Sequence, residues 1–136
     1  MENIIDLVLA LKNVSIFKNI PDHILGDIAA IIEIDTIPKG ETFIKKGELG
    51  EDMYIIQSGQ AKIHDGDHTF ATISDNQIVG ELAILAPVKR TADVTALRDM
   101  LVFVIKREYF ADLLSDQFEI VKGVMAALVQ RIIEMN

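Results

Sequence analysis

Residues 79–94 contain the side chains best suited to chemistry in this chain. Gly80 precedes Glu81, and Arg90 lies ten residues after that glycine. The residues that follow Gly80 favour helix until Pro87 ends the run, so a helix of one or two turns is predicted there. The free N–H groups at the start of such a helix and the planar donors of Arg90 both suit a phosphate. This segment is therefore predicted to bind an anionic ligand.

The sequence His-Asp-Gly-Asp-His at 64–68 has the composition of a metal site. Its Asp-Gly centre is a hairpin-turn signature, and residues that flank such a turn are usually solvated. His23 falls in the first turn of a predicted helix, far along the chain from this group. Three histidines without a close pair-plus-carboxylate spacing argue against a metal-dependent barrel enzyme such as a cupin, and no nucleophile–base pair is present. We predict no metal site, no cofactor and no enzymatic activity.

Charge and composition exclude other classes of protein. Among 136 residues there are 13 Lys and Arg against 21 Asp and Glu, a net charge of −8. Because a nucleic-acid surface needs a basic stripe, direct nucleic-acid binding is disfavoured. The chain has no cysteine, which excludes disulfides and thiolate metal sites and fits a reducing cytoplasm. With no apolar stretch near ~18 residues and no basic leader, we expect a cytoplasmic protein without membrane insertion.

The elements that must position residues 79–94 follow from a change of hydrophobic period. Apolar residues recur at helical spacing over 1–33, alternate with a period of two over 34–106, and return to helical spacing over 107–136. Turn residues punctuate the middle segment at regular intervals. We therefore predict a single domain over 1–136. Its predicted fold is mainly β, a jelly-roll-like β-barrel with flanking N- and C-terminal helices.

Residues 79–94 resemble the phosphate-binding cassette of cyclic nucleotide-binding domains, the family of the regulatory subunits of cAMP-dependent kinase. The family's pattern is met at Gly80-Glu81-Leu82-Ala83, Ile84-Leu85, Arg90-Thr91-Ala92 and Val94. The similarity extends from the Ser15-Ile16-Phe17 turn to the last helix. It implies a double-stranded β-helix and a cyclic purine nucleotide as ligand, either cAMP or cGMP.

The resemblance also implies a role for each matching residue. Glu81 would accept a hydrogen bond from the ribose 2′-hydroxyl, and Arg90 would pair with the cyclic phosphate. Arg90 is accordingly expected to face a ligand rather than a structural partner. Thr91 would donate its hydroxyl to the phosphate or to a guanine base. Three residues would present backbone groups: Gly80, Leu82 and Ala83.

Three positions depart from the family's pattern. Lys89 replaces the usual proline, Val79 the usual phenylalanine, and Asp93 a usual threonine or serine. Asp93 would weaken phosphate binding if it faced the ligand and would be harmless if it pointed outward. A second function therefore stays open: a degenerate domain that keeps the fold and acts as a ligand-free module for protein interaction or dimerisation.

The last helix is predicted to have two apolar faces. One contains Phe118, Val121, Met125, Leu128, Ile132 and Met135, and the other contains Ile120, Val124, Ala127 and Ile133. One face suffices for docking on the barrel, and we expect the second, with Val124, to meet a second copy of the chain or a downstream effector. In the mechanism that the resemblance implies, ligand binding shifts a conformational equilibrium through a hinge near residues 107–115 to this helix.

Overall fold

The computed structural model describes residues 3–136 and has helices at both ends of the chain with strands between them. Met1 and Glu2, at the start of the predicted N-terminal helical segment, lie outside the described residues. The α-helices are α1 (Ile4–Leu11), α2 (Asp22–Ala29), α3 (Arg107–Asp116) and α4 (Phe118–Glu134). The strands are β1 (Glu33–Ile37), β2 (Thr42–Ile44), β3 (Leu49–Gly50), β4 (Asp52–Ser58), β5 (Gln60–Asp65), β6 (His68–Ser74), β7 (Ile78–Val79), β8 (Val88–Lys89), β9 (Asp93–Ala96) and β10 (Met100–Lys106). Short 3₁₀ helices occupy Ser15–Phe17 and Glu81–Ile84, and we call the second the cassette helix.

The strands form two four-stranded antiparallel sheets and one short pair. The first sheet has the order β1-β10-β4-β7 and the second β2-β9-β5-β6, while β3 pairs with β8. Side chains of both sheets meet in one buried cluster, so the sheets pack face to face. This confirms the predicted jelly-roll-like, mainly β fold with flanking helices, built as two facing sheets.

The first sheet separates two hydrophobic cores because side chains alternate across a strand. On β10, Phe103 and Ile105 face the helices, whereas Val102 and Val104 face the second sheet. All four are buried. The helices are thus packed directly on the sheet that also forms one wall of the jelly roll.

The face by which α4 docks differs from the sequence prediction. From the sequence, Val124 is placed on the face expected to meet a partner, but in the structure it is only 4% exposed and packs in the helix-side core with Ile120. Ala127 is also buried. Gly123 explains the choice of face, since a Cβ there would lie 2.7 Å from Ile20 Cγ1. Gly123 lets α4 lie close to the chain that follows the Ser15–Phe17 turn. On the stripe that begins at Phe118, Phe118, Met125, Ile132 and Met135 are exposed, whereas Leu128 packs partly against the helix-side core. Ile133, predicted on the face of Val124, is 60% exposed. Of the helices within residues 3–136, none is long and apolar enough to cross a membrane.

Candidate functional site

The cassette helix is preceded by a glycine in a left-handed conformation. Strand β7 ends at Val79, and Gly80 follows with φ +82° and ψ 25°, a left-handed conformation that favours glycine. The helix over Glu81–Ile84 is shorter than the predicted run and is of the 3₁₀ type, because so short a segment forms few α-helical hydrogen bonds. Ala83 is buried and anchors the segment, whereas Leu82 is exposed.

Arg90 lies in a slot between two glycines. A Cβ at Gly50 would overlap Arg90 Nε, and one at Gly80 would lie 2.7 Å from Arg90 Nη1. Arg90 Nη2 donates a hydrogen bond to the carbonyl oxygen of Asp52 at 2.8 Å. The expectation that Arg90 lacks a structural partner is therefore wrong: the absence of side chains at the two glycines admits the guanidinium, and a carbonyl of β4 orients it.

A cavity of about 190 Å³ opens beside this guanidinium. Phe43 and Tyr54 form part of its wall and contact each other edge to face, with ring centroids 5.2 Å apart. The charged residues on the wall are Lys45, Arg90, Glu48, Glu51 and Asp52. The cavity thus combines two cations, an aromatic surface and carboxylates.

Burial changes the acidity of two groups on this wall. It raises the pKa of Asp52, and the nearby cations Lys106 and Arg90 oppose that rise. It also raises the pKa of Tyr54, with the carboxylate of Asp52 acting in the same direction. The phenol therefore stays neutral near neutral pH, whereas the Asp52 carboxylate sits in surroundings that disfavour its charge.

Glu81 points away from this cavity and does not belong to its wall. Its Oε1 atom accepts hydrogen bonds from Ser15 Oγ at 2.6 Å, Ile16 N at 3.0 Å and Arg131 Nη2 at 2.7 Å. Arg131 Nη2 also donates to Ser15 Oγ. The acid of the cassette is therefore bound to the Ser15–Phe17 turn and to α4. Sequence reasoning missed Arg131, because no local spacing relates it to Glu81.

Of the sequence-predicted site residues, only Arg90 belongs to the cavity wall. Gly80 adjoins Arg90, whereas Thr91 is exposed and does not belong to the cavity wall. Asp93 lies on the opposite side of β9 from the buried Val94, and its Oδ1 accepts a hydrogen bond from the backbone N–H of Lys46 at 2.7 Å. Of the two orientations considered for Asp93, the structure has the outward one.

The residues weighed as a metal cluster lie at the predicted hairpin, which connects β5 and β6. His64 Nδ1 lies 2.9 Å from the Gly66 carbonyl oxygen, and His64 Nε2 lies 2.7 Å from Thr95 Oγ1. Asp65 forms an ion pair with Lys46, which lowers the pKa of that carboxyl group. The side chains of His64 and Asp65 thus have partners within their own sheet and on the neighbouring loop.

Most of this chain is similar in sequence to known proteins. The family profile described as cyclic nucleotide-binding domain matches residues 34–117. The chain is 34% identical over 110 residues to an uncharacterized NTE family protein of Mycobacterium tuberculosis, covering 80% of this chain and 19% of that protein. It is 27% identical over 113 residues to a cAMP-dependent protein kinase regulatory subunit of Candida albicans, covering 82% and 25%. The chain thus spans a fifth to a quarter of the length of these relatives.

The fold also matches a solved structure closely. The N-terminal domain of a transcriptional regulator from Streptomyces coelicolor superposes with a TM-score of 0.83 at 24% identity. The match covers 96% of this chain and 93% of that one. At this identity the similarity establishes the shared fold.

Proposed function

This chain belongs to the cyclic nucleotide-binding domain family, and on that premise we propose that it binds cAMP or cGMP and relays binding through its C-terminal helices. The domain of this family has a regulatory, ligand-binding role, so the proposed role is regulation rather than catalysis. The placement of Arg90 carries the proposal. A guanidinium oriented in a glycine slot at the edge of a cavity is prepared to form paired hydrogen bonds with a phosphate.

The size of the cavity bears on how a nucleotide would enter. Pockets for drug-sized ligands occupy roughly 300–1,000 Å³, whereas the cavity beside Arg90 has about 190 Å³. Binding would therefore widen it, and a movement of Phe43 and Tyr54, the aromatic part of the wall, is one way to do so. A purine ring could then replace one of the two rings as the partner of the other.

A movement of the cassette would reach the C-terminal helices through their packing against it. Strand β10 passes directly into α3 at Arg107, and α3 contacts both the cassette helix and α4. Phe110 of α3 lies in the helix-side core with its ring 5.7 Å from that of Phe17. A shift of the cassette on phosphate capture would therefore be felt by α3 and then by α4.

We also propose a contact between two copies of the chain through α4. The exposed stripe on this helix repeats every three and four residues, the spacing of a coiled-coil seam. Its most exposed members are Phe118, Met125, Ile132 and Met135. Because docking on the domain uses the side of Ile120 and Val124, these four exposed residues are available to meet the same residues of a second copy. The ligand-free interaction module remains the competing function, and α4 would be its working surface.

Calorimetric titration with cAMP and with cGMP, and with 5′-AMP as a control, separates the two functions. The proposal expects saturable binding of a cyclic nucleotide and weaker binding of 5′-AMP. If the chain is a ligand-free interaction module, titration with cAMP, cGMP or 5′-AMP should release no heat beyond the heat of dilution. Binding of 5′-AMP as tight as that of cAMP would contradict a site built for a cyclic phosphate.

A further inference from the structure

The carboxylate of Glu81 is already fully engaged on one oxygen. Oε1 accepts from a hydroxyl, a backbone N–H and a guanidinium, all within 3.0 Å. The side chain of Glu81 is 21% exposed, and that of Arg131 is 39% exposed. These contacts connect the cassette to the Ser15–Phe17 turn and to the last turn of α4 at a single atom.

To accept a hydrogen bond from a ribose 2′-hydroxyl, the Glu81 carboxylate would have to face the cavity instead of Ser15 and Arg131. An ionised carboxylate only accepts hydrogen bonds, and the three donors on Oε1 fix the direction of the Glu81 side chain, so a donor in the cavity can be reached only if these contacts break. Glu81 also lies outside the wall of the cavity at Arg90. To reach a ligand whose phosphate pairs with Arg90, the side chain of Glu81 would have to turn and release Arg131.

We propose that Arg131 and Ser15 hold Glu81 away from the ligand cavity, so that the ribose and the last helix compete for one carboxylate. This inference rests on the proposed function, because it takes a cyclic nucleotide at Arg90 as the competitor. Arg131 then acts as a positioning residue that opposes binding. By linkage, the nucleotide must loosen the end of α4 to the same degree that the end of α4 weakens nucleotide binding.

Arg131→Met tests this competition, since methionine keeps an unbranched stem and removes the donors. Lys122→Met is the matched control, because Lys122 is a cation on the same helix that pairs only with Glu119 at 3.8 Å among the described residues. We expect Arg131→Met to bind cAMP roughly three- to tenfold more tightly than wild type, the range for a partly exposed charged hydrogen bond. Lys122→Met should bind as wild type does. Ser15→Ala should show a smaller gain in affinity.

A cyclic nucleotide without the ribose 2′-hydroxyl provides a second comparison. With 2′-deoxy-cAMP, freeing Glu81 provides no new partner, so Arg131→Met should bind it as wild type does. An equal gain for both nucleotides would mean that the arginine acts through the field of its charge, and a loss for both would mean that it supports the site. Either result overturns the inference.

The same experiment separates this inference from the proposed function. Wild type that binds cAMP while Arg131→Met shows no gain overturns the competition and leaves the function intact. No binding by wild type, Arg131→Met or Ser15→Ala overturns both. Amide hydrogen exchange over residues 128–135 provides a second readout: in the free protein Arg131→Met should exchange faster there, and saturating cAMP should produce the same change in wild type. Unchanged exchange on saturation with cAMP would contradict a release of α4.

Discussion

Arg131 Nη2 lies 2.7 Å from Glu81 Oε1, which joins the last helix to the cassette across fifty residues of sequence. Both side chains are partly exposed, so their interaction is weaker than that of a fully buried pair. A double-mutant cycle with Arg131→Met and Glu81→Gln measures it without any ligand. We expect a coupling of about 0.5–1 kcal/mol in the free energy of unfolding by urea. Additive effects of the two substitutions would show that the pair does not persist in solution.

The docked face of α4 predicts that the same substitution has very different effects on stability at two adjacent positions. Val124 is 4% exposed and Met125 is 57% exposed. Val124→Glu places a charge in the helix-side core, and we expect it to cost about 3 kcal/mol or more in the free energy of unfolding. Met125→Glu should cost less than about 0.5 kcal/mol. Urea unfolding of the two variants checks this, and equal stabilities would contradict the observed docking face.

The stripe that contains Met125 makes a separate prediction about assembly. If two copies meet through it, Met125→Glu places a charge in the seam and should lower self-association while leaving the monomer folded. Sedimentation velocity over a concentration series compares wild type with this variant. A wild type that stays monomeric throughout the series would contradict the α4 contact.

The glycine slot predicts that Gly50→Ala displaces Arg90. The added methyl group would overlap the end of the Arg90 side chain, which is flexible enough to move aside. We therefore expect a large loss of cyclic nucleotide affinity with a small loss of stability. Gly26→Ala is the matched control, because nothing lies within 4 Å of a Cβ at this position in α2. That variant should gain about 0.5–1 kcal/mol in stability and keep its affinity. Nucleotide binding by Gly50→Ala at wild-type affinity would show that the slot does not position Arg90.

Asp52 predicts a dependence of stability on pH. Burial raises its pKa in the folded state above the ordinary value of 3.8, so its ionised form destabilises the fold at neutral pH. That cost is present above the folded-state pKa and disappears as the pH falls to the unfolded-state value. Asp52→Asn should therefore be more stable than wild type at pH 7, and the gain should vanish near pH 4. Asp112→Asn, at an exposed position on α3, is the control in urea unfolding at both pH values. A loss of stability at pH 7 would mean that the interactions of the carboxylate with Lys106 and Arg90 outweigh burial.

Much of the fold was predictable because it depends on local patterns. The alternation over residues 34–106 predicts the strands, and the last of them, β10, ends at Lys106, where the predicted β segment ends. The Asp65-Gly66 turn is likewise where a hairpin signature places it. Strands and turns of this kind can be predicted from the hydrophobic period and from turn residues, because both depend on residues close together in the sequence.

Features that depend on distant residues were not predictable from spacing. Both faces of α4 are apolar, so periodicity alone did not select the docked one, and Gly123 decides it only through its approach to Ile20. The partners of Glu81 come from the Ser15–Phe17 turn and from Arg131, at opposite ends of the chain. A motif places an acid in the cassette, but it does not say which donors are bound to that acid in the folded protein.

The central claim is that Arg90 captures the phosphate of a cyclic nucleotide, and one calorimetric comparison tests it most directly. Wild type, Arg90→Ala and the control Arg98→Ala, which removes an exposed arginine at the turn between β9 and β10, are titrated with cAMP and with cGMP. We expect wild type and Arg98→Ala to bind one of the two nucleotides equally well and Arg90→Ala to lose measurable binding. Because Arg90 also donates to the Asp52 carbonyl, its removal should cost roughly 0.5–1.5 kcal/mol in stability, and urea unfolding confirms that the variant is folded. Binding by folded Arg90→Ala at wild-type affinity would contradict the claim.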